Sequence, residues 1–387
     1  MKKTLAAVAV LGAFAGSALA ADVQLYGIVD TGLGYQHIDG DGAYDDKDSF
    51  SMMSGQASGS RFGFKGTEDL GNGLTVGFIL ENGIKSDTGV DDGVFFNRES
   101  SLYLEGGFGK FAMGRLGSLN NGQSSWAKVG MLSAFGMSDW GGYSAQLSNI
   151  FSLAGQWDNM VAYQTPDFAG FKVYAQYGMG NTVEGYNSVE NESSSDRYYA
   201  IGATYNNGPI AAYLAVDSIN YASWNNTAPG KSVGDVDDSL TVTLGGSYDF
   251  EVVKVYLGAQ YFDEVKLSSV GGITKELGDD ARDAFRVKGY GISLTGDAPL
   301  AGGKAMFGVG YVDAEAADSV EQYQGEDHNF DLQRYVVSVG YDYPFSKRTD
   351  VYAVASYMQD QTTSFSAYDE DADLSAYTVY VGLRHRF

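Results

Sequence analysis

The final segment, Tyr377-Thr378-Val379-Tyr380-Val381-Gly382-Leu383-Arg384-His385-Arg386-Phe387, constrains the fold more than any other stretch of the chain. Tyr377, Val379, Val381, Leu383 and Phe387 share one face, while Thr378, Tyr380, Gly382, Arg384 and Arg386 share the other. A period of two describes a strand with one apolar and one polar side. A soluble protein seldom ends with an aromatic residue on its apolar face. A closed sheet in lipid needs such an ending, apolar toward the bilayer and aromatic at the headgroup level.

The other end of the chain agrees with export to a membrane. Lys2 and Lys3, an apolar run from Leu5 to Phe14, and Ala18-Leu19-Ala20 before Ala21 read as a signal peptide over residues 1–20. Its removal leaves 367 of the 387 residues as a single domain, 21–387, and without Lys2 and Lys3 the net charge moves from −24 to −26. No later segment reaches the ~18 continuous apolar residues of a membrane helix. A mean hydropathy of −0.19 suits spanning strands, in which every second residue is polar. The 28 Tyr and 21 Phe supply interfacial girdles, and the 52 Gly supply turns and crowded inward positions. A chain this acidic is not expected to bind nucleic acid, so its ionic partners should be cations.

Alternating segments recur along the whole chain, separated by two kinds of connection in turn. Short ones, such as Glu68–Gly73, Asn206–Pro209, Asp297–Gly302 and Pro344–Lys347, have turn compositions. Long acidic ones fall at 39–48, 184–196, 225–238, 264–283, 313–329 and 362–373. The pattern predicts strands near 23–36, 57–67, 74–84, 94–105, 108–115, 158–165, 171–180, 197–206, 210–222, 239–249, 252–263, 284–296, 303–313, 331–343, 350–360 and 374–387. Sixteen is the even number that a closed antiparallel barrel requires. Residues 116–157 break the rhythm. That stretch holds Trp126, Trp140 and Trp157 but, before Asp158, only one carboxylate, Asp139, so it is expected to fold inward rather than extend into solvent.

Several ordered motifs then carry a resemblance. Val23–Asp30, Gly59–Gly71, Phe96-Asn97-Arg98, Met113-Gly114-Arg115, Tyr163–Phe171 and the ending Gly382–Phe387 resemble the Gram-negative general porins, most closely the betaproteobacterial type. The likeness covers essentially the whole mature chain. It implies a sixteen-stranded, trimeric, water-filled pore whose third extracellular loop folds into the lumen, here residues 116–157. The closing strand resembles the carboxy-terminal insertion signal of outer-membrane barrels, carried by Tyr377, Val379, Val381, Leu383 and Phe387. Outer-membrane lipid, lipopolysaccharide and the barrel-assembly machinery are the implied partners.

A passive pore needs a hole of defined width and a field across its narrowest point. Arg61 and Lys65 share a face opposite Phe62 and Phe64. A lipid-facing cation at mid-bilayer would cost ~2–4 kcal/mol, so both are expected in the lumen. Arg98 matches a basic wall position of the family. Arg115 shares parity with Phe111 and Met113, and its role stays open between lumen cation and loop anchor. Ser138-Asp139-Trp140-Gly141-Gly142 resembles the family's Pro-Glu-Phe-Gly-Gly loop tip, so Asp139 takes the place of the acid, and Tyr143 stands where a second acid is common. Glu81 is a further inward candidate. Trp157 stands where relatives often carry a wall Arg, which leaves the sign of ion selectivity open. Trp126, Phe135, Trp140 and Phe151 could stack on sugars, though packing the loop against the wall is the commoner use of such residues.

No cofactor is expected. The acidic outer loops could hold Ca²⁺ or Mg²⁺ diffusely, without regular ligand spacing. His37, His328 and His385 lie far apart in sequence and have no metal-ligand pattern around them, and there is no Cys. A barrel hydrolase is therefore the weakest alternative, behind a barrel with an adhesive or structural role.

Overall fold

The computed structural model describes residues 22–40, 46–180, 196–221, 237–272, 285–318, 330–363 and 372–387. The segment read as a signal peptide lies outside them, as do His328 and most of the acidic outer loops.

The strands are β1 (Gln24–Asp39), β2 (Lys47–Ser54), β3 (Arg61–Gly71), β4 (Leu74–Gly83), β5 (Glu99–Gly106), β6 (Gly109–Gly117), β7 (Gln156–Gln164), β8 (Phe171–Gly178) and β9 (Arg197–Asn207). They continue as β10 (Ile210–Asn220), β11 (Leu240–Asp249), β12 (Lys254–Lys266), β13 (Arg286–Leu300), β14 (Gly303–Ala316), β15 (Asp331–Pro344), β16 (Thr349–Thr363) and β17 (Ala372–Arg386). All pair antiparallel with their neighbours, and β17 returns to β1, from Ile28 opposite Arg386 to Asp39 opposite Ser375, so the sheet closes. β2 and β3 are one stave in two pieces. β2 pairs with the upper half of β1 and β3 with its lower half, which makes sixteen staves from seventeen segments.

That interruption is where the sequence reading and the structure part. Strand was expected from residue 57, but 55–60 leave the ladder as a turn beginning at Gly55 (φ 73°), and the stave resumes upward as Lys47–Ser54, which overlaps the end of the expected acidic loop 39–48 and the stretch after it where no strand was expected. The next expected strand, from 94, begins only at Glu99. Elsewhere the staves fall where alternation placed them.

Local turn chemistry fixes the registers. Asn72 and Gly73 both have positive φ and join paired β3 and β4, and Ala301-Gly302 does the same between β13 and β14. Two successive left-handed residues make the tight hairpin turn whose twist matches the strands.

The outer surface is an apolar band. On β17, Tyr377, Val379, Val381 and Leu383 are each about half exposed (49–53%), and Tyr335, Val337 and Val339 on β15 face the same way. Fewer apolar side chains would be exposed on a soluble protein; here they meet acyl chains. Tyrosines ring the rim nearer the long loops, with Tyr357–Tyr377 ring centres at 4.9 Å and Tyr311–Tyr335 at 5.1 Å. A barrel is forced by the same logic, since no backbone donor or acceptor can stay unpaired in lipid.

Candidate functional site

The residues between β6 and β7 lie on the inner face of the barrel. Alternation sends Gln176, Asp217, Gln260, Thr295 and Ser338 inward, opposite the exposed apolar band, and each hydrogen bonds to the segment 118–155. Leu119 N donates to Gln176 Oε1 (2.9 Å), Asn120 Nδ2 to Asp217 Oδ2 (3.0 Å) and Ala134 N to Thr295 Oγ1 (2.9 Å). Ala145 N donates to Ser338 Oγ (2.8 Å) and Ser152 N to Gln260 Oε1 (2.6 Å). Gln176, Thr295, Ser338 and Gln260 each satisfy a backbone donor that the irregular segment would otherwise leave unpaired, and Asp217 accepts from the Asn120 side-chain amide.

Two features let the segment approach so closely. Inward glycines make room: a Cβ on Gly291 would sit 1.9 Å from the Ile150 carbonyl oxygen, and one on Gly310 would sit 2.3 Å from Ile150 Cδ1. A buried cation clamps the returning limb. Arg334 forms a two-pronged pair with Asp360 (2.6 and 2.8 Å) and donates to the carbonyls of Asn149 (2.9 Å) and Val270 (2.5 Å).

The aromatic residues of the segment are packing elements. Trp126, Phe135, Trp140 and Phe151 are all buried. Phe135 and Trp140 meet edge to face at 5.9 Å, and Trp140 meets Tyr352 the same way at 5.3 Å. Asp139 is exposed at the tip. The tip is seated by Trp140 N on the Gln56 carbonyl and Gly141 N on Gln56 Oε1, both 2.8 Å. Gln56 belongs to the turn that splits the second stave, and that turn is itself held from beneath. Asp30 accepts from Ala57 N and Ser58 N (2.9 and 2.7 Å), while Arg384 donates to the Ala57 carbonyl (3.2 Å) and to Asp350 and Asp342 (2.9 and 3.0 Å).

Four of the sequence-selected residues come together on one wall. Glu81 receives Arg98 Nε at 2.6 Å and Arg61 Nε at 3.4 Å, and Tyr26 donates to it at 2.9 Å. Lys65 lies on the same inward face, its ammonium 5.2 Å from the Tyr26 ring centre.

Arg115 does not join them. It pairs across the sheet with Ser100, on the face of Leu102 and Met113, and a bulge follows between Gly114 and Leu116. Its guanidinium bonds Asp158 (2.5 Å) and the Asn97 carbonyl (2.8 Å). The bulge and the outward parity favour the anchor role over the lumen-cation role, the two that the sequence left open, and take Arg115 out of the group of constriction candidates.

Sequence reasoning passed over three lysines. Lys110 on β6 and Lys172 on β8 alternate with the exposed Phe111 and with Phe171 and Val173, so both face inward. Lys128 belongs to the inner segment. Lys110 Nζ lies 3.7 Å from the Tyr103 ring centre and Lys128 Nζ 5.4 Å from that of Tyr174. The parity of Lys110 against Phe111 and Met113 was a usable signal for it. Nothing in the sequence located Lys128.

Charge is therefore unevenly divided around the lumen. The wall from β3 to β8, with Lys128, carries Arg61, Lys65, Arg98, Lys110 and Lys172 against Glu81, Glu99 and Glu105. The rest of the barrel, on β1, β10 and β15 to β17, carries Asp30, Asp217, Asp342, Asp350 and Asp360, with Arg334, Arg384 and Arg386 already paired to Asp360, Asp342 and Asp350 there.

The chain matches a family described as Gram-negative porin over residues 6–363. It is 34% identical to an outer membrane porin protein of Bordetella pertussis and 30% identical to outer membrane porin protein 32 of Delftia acidovorans, each over the full length of both chains. Among solved structures it is similar to an anion-selective porin from Comamonas acidovorans, with a TM-score of 0.65 and 26% identity over 95% of this chain and 100% of that one. A closed sixteen-stave barrel with an apolar belt and a charged lumen, together with these end-to-end matches, makes the protein a member of the Gram-negative porin family, a passive channel of the outer membrane.

Proposed function

We propose that residues 116–157 set the width of the channel and that the β3–β8 wall gives it a weak preference for small anions. The observation that carries this is the shared carboxylate. Glu81 offsets only one of the two guanidiniums it touches, and Lys65, Lys110, Lys128 and Lys172 outnumber the other two carboxylates of that side, Glu99 and Glu105. Ions crossing there meet a transverse field between this wall and the acidic one, with Asp139 at the loop tip as a further negative charge. The likeness to an anion-selective porin points the same way. The acidic outer loops, attractive to cations, would act only within a Debye length of the mouth, ~8 Å at physiological salt.

The working unit on this reading is a homotrimer, delivered by residues 1–20 as a signal peptide. Tyr377, Val379, Val381, Leu383 and Phe387 present the insertion face to the barrel-assembly machinery. Lipopolysaccharide phosphates would be bridged diffusely by divalent cations at the outer loops, and no cofactor takes part. No catalytic role is assigned. His37 bonds Asp48 (3.0 Å) at the outer rim, and His385 bonds Thr349 Oγ1 (2.9 Å) beside the turn at 346–348.

Reversal potentials of the Arg61→Glu channel in a KCl gradient test the wall. The ratio of chloride to potassium permeability should fall well below that of the unaltered channel; an unchanged ratio would place Arg61 away from the constriction.

A further inference from the structure

A second stretch of loop folds inward beside residues 116–157. Leu267–Val270, between β12 and β13, turns into the barrel, and Leu267 and Val270 are fully buried there. Leu153 N donates to the Ser269 carbonyl (3.3 Å), Ser152 Oγ meets Ser269 Oγ (2.7 Å), and Gly272 N donates to Asn149 Oδ1 (3.2 Å). Arg334 fastens both segments at once, since it donates to the carbonyls of Asn149 (2.9 Å) and Gly271 (3.1 Å).

Between these two segments and the loop-bearing ends of β10 to β12 lies a recess of about 330 Å³. Trp157 and Ile219 give it apolar sides, and Ser239, Thr241 and Ser269 give it hydroxyls. Asp217 also lines it and is only 3% exposed. Asp217 Oδ2 accepts from Asn120 Nδ2 (3.0 Å) and from the Tyr198 hydroxyl (2.9 Å). Its Oδ1 has no hydrogen-bond partner among the described residues and stays open to the recess.

Both donors to Asp217 are neutral, and no ion pair reaches it among the described residues. A carboxylate buried on neutral donors alone is costly, and such groups ordinarily pair with a positive charge. The other charged groups nearby do not supply it. Asp196 borders the recess and adds to its negative charge. Lys266 borders it as well, but no ion pair joins it to Asp217 among the described residues. Arg286 lies over the Tyr221 ring, 4.5 Å from its centre, and does not line the recess.

We propose that this recess is a station for small primary ammonium solutes, whose –NH₃⁺ group settles on Asp217 Oδ1. An ammonium brings three donors with one charge, one for the carboxylate and the others for hydroxyl oxygens such as that of Thr241. A short carbon stem then lies against Trp157 and Ile219. A divalent metal is a poorer occupant, because Ca²⁺ takes about six to eight oxygens and no cluster of three metal-ligating side chains occurs among the described residues. The carboxylate stands on β10, outside the basic β3–β8 wall, and selects the opposite charge. The station therefore goes beyond the anion preference proposed above and rests on the channel reading only for access from the lumen.

Tryptophan fluorescence of the folded protein in detergent, titrated with ethanolammonium chloride against KCl at constant ionic strength and pH 8, tests the station through Trp157. Wild-type emission should change saturably with ethanolammonium and not with tetramethylammonium, which has no N–H to donate. The half-effect concentration should rise about fivefold in Asp217→Asn, the weight of one close charge in water-like surroundings. Ile219→Lys should lose the saturable change, since a lysine two residues along the same face brings its own ammonium to Asp217. A wild-type emission indifferent to ethanolammonium, an equal response to tetramethylammonium, or an unshifted titration in folded Asp217→Asn protein would overturn the station. Should Asp217→Asn fail to fold, Ile219→Lys decides, and a wild-type titration there overturns it. None of these readings needs ion flow, so the two failures are distinct: absence of current overturns the channel, and absence of the emission change overturns the station.

Discussion

Replacing Glu81 by Gln keeps the shape of the side chain and removes the one carboxylate shared by Arg61, Arg98 and Tyr26. The lumen gains one net positive charge at that point. An ion passing at about 6 Å feels a unit charge by ~0.7 kcal/mol in water, and screening at 0.1 M cuts this to ~0.4 kcal/mol. The energy acts with opposite sign on chloride and potassium, so the permeability ratio should move toward chloride by about threefold to fourfold in 0.1 M KCl. In 0.01 M the shift should grow to about sevenfold, and in 1 M it should shrink below twofold. Reversal potentials at fixed tenfold gradients measure all three. Arg98 is largely buried, and removing its partner should cost ~3–5 kcal/mol of stability. A heat-modifiability gel must therefore show a folded barrel before the ratio is read. A folded Glu81→Gln channel with an unchanged ratio, or a shift indifferent to salt, would refute the reasoning that this cluster faces the ion path.

Three further changes have expected outcomes. Burial above all, with repulsion from Lys110 and Lys172 and partly offset by Glu99, pulls the Lys128 ammonium down to about 8. Raising the pH from 7 to 9 should therefore discharge it and lower the chloride preference, a step that Lys128→Gln channels should lack in the same reversal-potential series. Gly291→Val drives side-chain atoms into the Ile150 carbonyl, so the returning limb must lift off the wall; single-channel conductance should change and larger sugars should swell proteoliposomes faster, while an unaltered size cut-off would contradict the seating of that limb. Val381→Lys puts a charge on the lipid-facing side of β17 and should destabilise the barrel in bilayers by ~2–4 kcal/mol in denaturant titrations.

The barrel was legible because its signal repeats. Every stave had to alternate, and a stave such as β17 shows its lipid face without reference to any neighbour. The break at 55–60 was not legible, because a stave that leaves the ladder and rejoins it keeps the alternation of each piece; what holds the turn is Asp30 and Arg384, far away in sequence. The site divides along the same line. Arg61, Lys65 and Glu81 were found from parity, since strand position dictates which way a side chain points. Arg115 was ambiguous because a bulge resets parity at the strand end. Lys128 was invisible, since an irregular segment has no period and the ring that its ammonium meets, Tyr174, is on the barrel wall 46 residues further along. Arg384 read only as part of the polar face of the last strand and Arg334 was not singled out, since the partners that make both of them structural clamps lie on other strands.

The central claim is an open, passive pore whose inner wall favours anions. Single-channel recording in a planar bilayer under a KCl gradient tests it most directly. The account predicts ligand-independent openings that arrive in groups of three equal steps, with a reversal potential on the chloride side that collapses toward zero in 1 M salt. A well-folded protein that gives no steps would contradict the open pore, and a potassium-side reversal potential would contradict the control assigned to the β3–β8 wall.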